Sequence, residues 1–540
     1  MEKKTSSISS WVVILVLVFA NFILYANTFF NGFISDDIAA IVQNPEIGKT
    51  SLYISPLDPH PTQVVNSIIY KLVGLEPWLY HLNSVLWHIL NAVLVFLLMS
   101  WLGTGVLFAT LTAGLFSLHP IHTEAVNWIS GLPYLLYSSF SLVTLLIIVG
   151  IDRGKIPKWG LVFIPFTSYA AFASSEKALV LPLVVGSYFL FLSKIKRSGW
   201  SLLGVCLPAL FFFIKLTGRF GGRIEASNPG VGVVPTVFNP LIQIPVAIGT
   251  YLKLWLWPLN LTLYHEFILT KLELAGNVVA LLLFFILIGL LFFKKQKLLL
   301  WGVSFLFIGL LPTLLPIKIA WIAAERYAYL PSLGLLMTEA FILTALYRKQ
   351  KVFFWVAVSV VVLFYAGVTI KRSFDWRDPD AFWQATVVSS PRSSMAHNNM
   401  GEYYYRHGDI DGAIREFTVA TELNPDSAEA TYNLGNLYLE ANDSTKAAEL
   451  FEKAFTLDQK FLDAALGAVV TNLRLGKSEQ AQEFLAKAQE LPLQFPRDYN
   501  NWGVLYLNMG QKEKAREMFT KALEIDPTFE LARQNLQIIK

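Results

Sequence analysis

The feature that most restricts this chain is a series of long apolar runs between residues 11 and 371. A membrane-spanning helix needs about 20 predominantly apolar residues. The whole chain is 54% hydrophobic and only 15% charged, which is more apolar than a typical soluble protein. We therefore predict a polytopic membrane domain of about eleven spans, near residues 11–31, 82–101, 103–118, 133–151, 159–174, 177–193, 200–217, 275–293, 298–317, 327–347 and 352–371.

Positive charge predicts the sidedness of these spans. A further apolar run, 240–257, is interrupted by two prolines and a lysine. If this run is interfacial or re-entrant, the basic clusters all lie on the cytoplasmic side, as the positive-inside rule requires. The prediction is an uncleaved signal anchor with the N-terminus inside and the C-terminus outside. The clusters are Lys3–Lys4, Arg153–Lys158, Lys194–Arg197, Lys294–Lys297 and Arg348–Lys351.

The segments left outside contain unusual polar groups. Burying charge in lipid is costly, so charged groups at the surface of a membrane domain are candidates for a functional site. The spans on either side of Ser175 are each about 16 residues, roughly 24 Å, so this hairpin tip should lie below the outer surface of a core about 30 Å thick. The groups are Asp36-Asp37, His119-Pro120-Ile121-His122-Thr123-Glu124, Ser175-Glu176-Lys177 and Glu325-Arg326-Tyr327.

The C-terminal part has a period of 34 residues and is much richer in charge. Small residues recur at 401, 435 and 503, and at 413, 447, 481 and 515. An aromatic residue keeps the same phase at 417, 451 and 519. This is the tetratricopeptide signature of two packed helices per unit. We predict an all-α chain: a membrane domain over residues 1–371, a linker over 372–393, and an α-solenoid over 394–540 whose last helix, 530–540, is a cap.

Helical phase predicts which side chains of the solenoid line its concave groove. Asparagine side chains there can bind the backbone of an extended peptide, although the same residues would also suit a solvated surface. The array itself contains no chemistry and is predicted to be a binding module. The predicted groove residues are Asn398, Tyr405, Tyr432, Asn436 and Asn500.

Composition also excludes some classes of function. The net charge is only +4, without a basic cluster of the kind that binds nucleic acid. The single cysteine, Cys206, excludes an intrachain disulfide and a cysteine zinc motif. His119, His122 and Glu124 form a weak pattern for a metal. Mg²⁺ or Mn²⁺ at Asp36 and Asp37 is a second alternative.

Several stretches resemble the bacterial tetratricopeptide-containing glycosyltransferases that are related to the eukaryotic transmembrane-and-TPR protein O-mannosyltransferases. The resemblance covers nearly the whole chain and implies a GT-C-type membrane fold with a polyprenyl-phosphate-sugar donor. One departure is Gly131-Leu132-Pro133-Tyr134, where the family usually has Gly-Arg-x-Asp. The most specific stretches are Leu118-His119-Pro120-Ile121-His122-Thr123-Glu124-Ala125-Val126 and Ala324-Glu325-Arg326-Tyr327-Ala328-Tyr329-Leu330-Pro331.

The resemblance implies the identity of the base, and the chemistry of the sugar transfer suggests roles for the other polar groups. An acidic residue of the first outer loop, Asp36 or Asp37, is the expected base that activates a Ser or Thr hydroxyl. Glu124 is expected to support it. Arg326 is the first choice for the donor phosphate, because a guanidinium can bind phosphate with two donors. Lys177 and His122 are second choices for the phosphate, and the supporting residues are His119, Glu176, Glu325 and Tyr327.

Two classes of function remain at the level of sequence. The first is an inverting membrane glycosyltransferase that moves a mannose-like sugar to proteins bound by the repeats. The second is a non-catalytic, membrane-anchored scaffold for an envelope complex, which leaves the four outer polar groups unexplained. The expected location is a bacterial plasma membrane, with the repeats on its extracytoplasmic side.

Overall fold

The computed structural model describes residues 10–55, 59–194, 199–226, 240–265, 270–314, 323–493, 495–527 and 529–539. Within these ranges the regular elements are helices, without a strand, as predicted for an all-α chain. The chain divides into two compact units, and the boundary between them falls between Ser389 and Ser390. The predicted cytoplasmic lysines at positions 3 and 4 lie outside the described residues.

The first unit contains a helix at every apolar run of the sequence. The run at 240–257 is helical as well. Helices α7 and α8 are shorter than the predicted spans of about 16 residues, since 12 and 11 residues extend only about 16–18 Å. The helices are α1 Ser10–Leu24, α2 Pro61–Val73, α3 Pro77–Leu102, α4 Val106–Leu118, α5 Thr123–Asn127, α6 Leu132–Asp152, α7 Phe163–Ser174, α8 Leu181–Phe191, α9 Gly199–Ala226, α10 Pro240–Leu256, α11 Lys271–Phe293, α12 Lys297–Leu314, α13 Leu333–Lys349, α14 Lys351–Asp375 and α15 Pro379–Ser389.

Only some of these helices are long and apolar enough to cross a membrane by themselves. Five of the described helical segments meet that requirement, and a sixth does if the bent pair of α4 with residues 120–127 is one broken span. Three shorter helices, α1 and parts of α9 and α10, are apolar over 10–17 residues. The chain is an integral membrane protein, and the count of eleven spans stays a prediction.

Burial separates central from peripheral helices in this unit. The apolar window that contains α6 is 72% buried, whereas the windows of α11 and α14 are 11% and 17% buried. Helix α6 packs against α3 and α7, and α13 packs against α12 and α4. Gly334 lets α12 and α13 approach closely, because a Cβ there would collide with the backbone carbonyl of Gly302. The outward apolar faces of α11 and α14 suit contact with lipid.

The second unit consists of antiparallel helix pairs with the predicted period. In the first, second and fourth pairs a glycine packs against a phenylalanine: a Cβ at Gly401 would lie 2.8 Å from the Phe417 ring, and one at Gly435 would lie 3.0 Å from Phe451. The third repeat also forms a helix pair, although Val469 and Leu485 stand in place of the glycine and the phenylalanine. The helices are α16 Ser394–Arg406, α17 Ile410–Leu423, α18 Ala428–Glu440, α19 Ser444–Leu457, α20 Leu462–Arg474, α21 Ser478–Gln489, α22 Pro496–Asn508, α23 Lys512–Ile525 and the cap, α24 Glu530–Ile538.

The segment predicted as a linker, residues 372–393, is largely helical. Helix α14 continues to Asp375, and α15 lies within the first unit. The buried side chain of Phe382 packs on Trp376, with ring centroids 4.6 Å apart. The segment therefore continues the helical structure of the membrane unit beyond α14.

Candidate active site

The acidic loop follows α1 and a 3₁₀ turn at residues 26–30. Ser35 has a φ of 56°, in the left-handed region that side chains other than glycine rarely adopt. The next two residues differ in environment: Asp36 is exposed and Asp37 is buried. Strained backbone of this kind persists where the surrounding structure fixes it, and it is frequent at functional sites.

Asp37 connects the acidic loop to the segment before α6. Its Oδ1 accepts hydrogen bonds from the Ser130 backbone N–H at 2.8 Å and from the Ser130 hydroxyl at 2.5 Å. Its Oδ2 accepts one from the Ile34 N–H at 3.2 Å. Burial raises the pKa of Asp37 to about 7, although these donors oppose the rise by favouring the ionised form. Asp37 is thus a buried carboxyl that holds two loops together.

Further hydrogen bonds connect the acidic loop and the turn before it to the end of α14, either directly or through Asn127 of α5. The Gly32 N–H donates to the Arg377 carbonyl at 2.8 Å. The Thr28 hydroxyl donates to Asn127 at 2.6 Å, and the Asn127 amide donates to the Ser373 hydroxyl at 3.0 Å. The acidic loop, helix α5 and the C-terminal end of α14 therefore form one connected structure.

The two histidines before α5 are buried and hydrogen-bonded within the protein. His119 Nδ1 accepts from the Ile121 N–H, and its Nε2 lies 3.2 Å from the Trp255 carbonyl. His122 Nδ1 lies 2.8 Å from the Phe116 carbonyl, and its Nε2 lies 2.8 Å from the Ser332 hydroxyl. These contacts fix the position of α5.

Glu124 and Arg326 form a buried ion pair. The Glu124 carboxylate accepts hydrogen bonds from the Arg326 side chain and from the Arg326 backbone N–H, the latter at 2.8 Å. The exposed fractions of the two side chains are 0% and 9%. An ion pair taken out of water is stable only while both partners are present. The pair therefore joins α5 to the 3₁₀ turn at residues 325–328.

Aromatic rings and a second cation surround the Arg326 guanidinium. Its Cζ lies 5.0 Å from the centre of the Tyr327 ring and 5.4 Å from the Trp128 ring. The Lys177 ammonium lies 4.4 Å from the centre of the same Tyr327 ring. The Tyr134 ring lies 6.0 Å from that of Tyr327. The cationic groups of Arg326 and Lys177 thus share the face of one aromatic ring, and the Glu124 carboxylate is bonded to one of them.

Glu325 faces the segment after α10. Its Oε1 accepts from the Thr262 N–H and lies 3.3 Å from His265 Nε2, whereas its Oε2 is buried without a described hydrogen-bond partner. Glu176 follows α7, where the Ser175 side chain accepts from the Lys177 N–H. Both acids thus lie beside a member of the cation cluster, Arg326 or Lys177.

Three residues near the cations were not predicted from the sequence: Ser130, Trp128 and Tyr134. Tyr134 lies in the stretch that departs from the family pattern, and that departure was the available signal. No motif pointed to Ser130 or Trp128. The indole Nε1 of Trp128 is buried without a hydrogen-bond partner in the described structure, as are those of Trp255, Trp301, Trp376 and Trp502.

The predicted groove residues of the repeats occupy several environments. Asn398 and Asn500 are buried, and each accepts from an asparagine of the following unit, Asn433 at 3.1 Å and Asn535 at 2.9 Å. Tyr405 is exposed and donates to Glu440. That bond raises the pKa of Tyr405 to about 12.

The other two groove residues are half-buried. The Tyr432 ring lies 4.9 Å from that of Phe461, and Asn436 follows on the same helix. The asparagine pairs described above connect helices of successive repeats. Whether these residues bind an acceptor stays a prediction.

Acidic and histidine side chains were also considered as metal ligands. Among the described residues, no group of three or more His, Cys, Asp or Glu is placed to hold a metal ion. Asp37 uses both carboxylate oxygens in hydrogen bonds within the protein. A cation at Asp36 and Asp37 would have to compete with these donors.

Comparisons with known proteins find relatives for the membrane unit and for the repeats. Residues 398–460 and 496–529 match tetratricopeptide-repeat families. The chain is 24% identical over 471 residues to protein O-mannosyl-transferase TMTC3 of Mus musculus, covering 74% of this chain and 50% of that protein. It is 25% identical over 474 residues to TMTC4 of Homo sapiens, covering 73% and 64%. The chain is thus similar to protein O-mannosyl-transferases over about three quarters of its length.

The chain spans about half the length of the first of these relatives. A third relative is protein O-mannosyl-transferase F38B6.6 of Caenorhabditis elegans, 23% identical over 448 residues, covering 76% of this chain and 63% of that protein. Among solved structures, a crystal structure of MamA protein is 26% identical, with a TM-score of 0.21, covering 27% of this chain and 80% of that one. The similarity to the curated relatives extends well beyond the repeats.

Proposed function

We propose that this protein is a membrane protein O-glycosyltransferase that moves a mannose-like sugar from a polyprenyl phosphate to Ser or Thr hydroxyls. The observation that carries the proposal is the cation cluster of Lys177 and Arg326 around Tyr327, connected through the segment before α6 to the acidic loop. The relatives are named protein O-mannosyl-transferases, which supports the transfer of a sugar to protein hydroxyls.

The reaction needs a base for the acceptor and a positive environment for the departing phosphate. The base takes the hydroxyl proton as the acceptor oxygen bonds to the anomeric carbon. The bond from that carbon to the phosphate oxygen breaks, and polyprenyl phosphate leaves with both electrons. Attack from the opposite face inverts the anomeric centre, so no covalent enzyme intermediate is needed, and one carboxylate suffices.

We assign the base to Asp36 and a positioning role to Asp37. Asp36 is exposed at the tip of a strained turn and can reach an acceptor hydroxyl. Asp37 is buried and engaged with Ser130 and Ile34. Its hydrogen bonds fix the loop that presents Asp36.

Lys177 and Arg326 are proposed to bind the donor phosphate. Glu124 compensates part of the Arg326 charge, so Lys177 contributes much of the remaining positive potential. Arg326 has further guanidinium N–H groups for phosphate oxygens.

The repeats are proposed to bind the acceptor protein and increase its local concentration near the membrane unit. We propose that the acidic loop and the repeats both lie on the extracytoplasmic side, which is what the positive-inside rule predicts from the basic clusters of the sequence. A bacterial plasma membrane is the proposed location.

The experiment compares glycopeptides of envelope proteins from cells that express the wild type, Asp36→Asn, Asp37→Asn or Arg326→Ala at matched membrane levels. Asp380→Asn is the matched control, because it removes the same charge from an exposed position on α15. We expect Asp36→Asn to lower sugar transfer by about 10²-fold or more, and Asp380→Asn to leave it unchanged.

Two outcomes would change the proposal. Full transfer by Asp36→Asn with loss in Asp37→Asn would move the base to Asp37. If all the variants transfer sugar fully and deletion of the repeats alone gives a phenotype, the non-catalytic scaffold would be the better hypothesis.

A further inference from the structure

A separate apolar cavity lies between α8, α11 and α12. Its volume is about 630 Å³, within the range of small-molecule sites. Its walls include Phe191 of α8, Phe292 of α11, and Val303 and Phe307 of α12. The exposed side chains of Leu190 and Phe292 flank it, so it opens at the surface of the membrane unit.

The chemistry of the cavity excludes a polar ligand. Ser304 is its only polar lining side chain among the described residues, and the Ser304 hydroxyl donates to the Leu300 carbonyl of its own helix at 2.8 Å. The cavity thus offers a ligand only apolar contact. A hydrocarbon gains from burial there, whereas a sugar or phosphate would lose its hydration without a partner.

The same helix α8 begins at the cation cluster. Lys177 lies just before α8, and Phe191 is its last residue. The distance along the chain from one to the other is roughly 20 Å for helical geometry. A small cavity of about 20 Å³ also lies beside Lys177, between α6, α8 and α12. One helix therefore has a cation at one end and an apolar cavity at the other.

We propose that the cavity binds the hydrocarbon tail of a polyprenyl phosphate whose phosphate lies at Lys177. This inference rests on the proposed donor and adds the position of its tail. A hydrocarbon tail that follows α8 from a phosphate at Lys177 would reach the cavity at the last residue of this helix. The opening at Leu190 and Phe292 lets the tail enter sideways from the bilayer.

The first test uses the wild-type protein in lipid nanodiscs and a long-chain polyprenyl phosphate with a diazirine at its tail end. We expect crosslinks at the cavity walls on α8, α11 and α12, prevented by excess unlabelled polyprenyl phosphate. Crosslinks confined to other helices would overturn the proposal. Equal competition by a phospholipid would also overturn it, because the cavity would then be an ordinary lipid contact.

The second test compares Ser304→Trp, which fills the cavity, with Leu283→Trp on the exposed face of α11. We expect Ser304→Trp to weaken binding of the long-chain phosphate about tenfold, the effect of displacing about two buried methylene groups. A short-chain phosphate should bind both variants equally. Equal weakening of both ligands by Ser304→Trp would contradict a tail site.

These binding experiments are independent of sugar transfer. If the protein binds polyprenyl phosphate in the cavity but transfers no sugar, the proposed reaction fails and the tail site stands. If transfer occurs while the tail probe labels elsewhere, the reaction stands and the tail site fails.

Discussion

The two units of the molecule use polar side chains over very different sequence distances. In the membrane unit, the Glu124–Arg326 pair joins residues 202 positions apart. In the repeats, Asn433 and Asn398 are 35 positions apart, one unit along the array. Repeat proteins are stabilised by contacts between neighbouring units. A substitution at the candidate site should therefore affect the whole membrane unit, whereas one in the repeats should act locally.

Breaking the buried ion pair should have the largest effect. Arg326→Ala leaves the buried Glu124 carboxylate without its partner, so we expect a loss of about 3–5 kcal/mol in unfolding free energy. Thermal unfolding in nanodiscs measures it. The exposed pair Glu402–Arg406 is the control, and Arg406→Ala should cost at most about 1 kcal/mol. Equal losses in both would contradict the contrast between the units.

The pH dependence of stability tests Asp37. Its pKa is raised by burial from an ordinary value of 3.8 to about 7 in the folded protein. Folding thus favours the protonated carboxyl, and this contribution is fully present below pH 3.8 and lost as the pH rises to about 7. We expect the wild type to lose roughly 2–4 kcal/mol relative to Asp37→Asn over that interval. Parallel pH profiles would contradict it.

Substitution of one glycine in each unit tests how tightly the helices of that unit pack. Gly334→Ala would push a Cβ against the backbone of Gly302, whereas Gly435→Ala would meet the side chain of Phe451. Backbone cannot rotate away, so we expect about 1–3 kcal/mol for Gly334→Ala and less for Gly435→Ala. Unfolding of each full-length variant measures this. The reverse order would show that the repeats are the less tolerant unit.

The smallest expected effect is in the groove. Asn433→Ala removes the hydrogen bond to the buried Asn398 side chain and should cost about 1 kcal/mol. The exposed Lys453→Ala on α19 is the control and should have almost no effect. A loss as large as that of Arg326→Ala would mean that the array unfolds as one block.

The sequence predicted what depends on local pattern. Apolar runs marked the helices of the membrane unit, and the 34-residue period marked the repeat pairs. Gly401 and Phe417 share a repeat, so their contact follows from the period alone. The cap at residues 530–540 was also predicted, and it forms α24.

The pairings at the candidate site could not be predicted in this way. Glu124 and Arg326 were assigned separate roles, although their side chains bond to each other. Ser130 carries no motif, and its importance comes only from the folding of its segment against Asp37. Such contacts depend on tertiary packing, and no repeating pattern in the sequence marks the residues that form them.

The hydrogen bonds between the acidic loop and the end of α14 have a consequence for biosynthesis. Asn31 bonds to the Ser373 carbonyl, 342 residues later. At ordinary rates of translation, some tens of seconds separate the synthesis of these two residues. The loop near the N-terminus must wait in the membrane for its last partner, so the candidate site is completed only when the ribosome is about to begin the repeats.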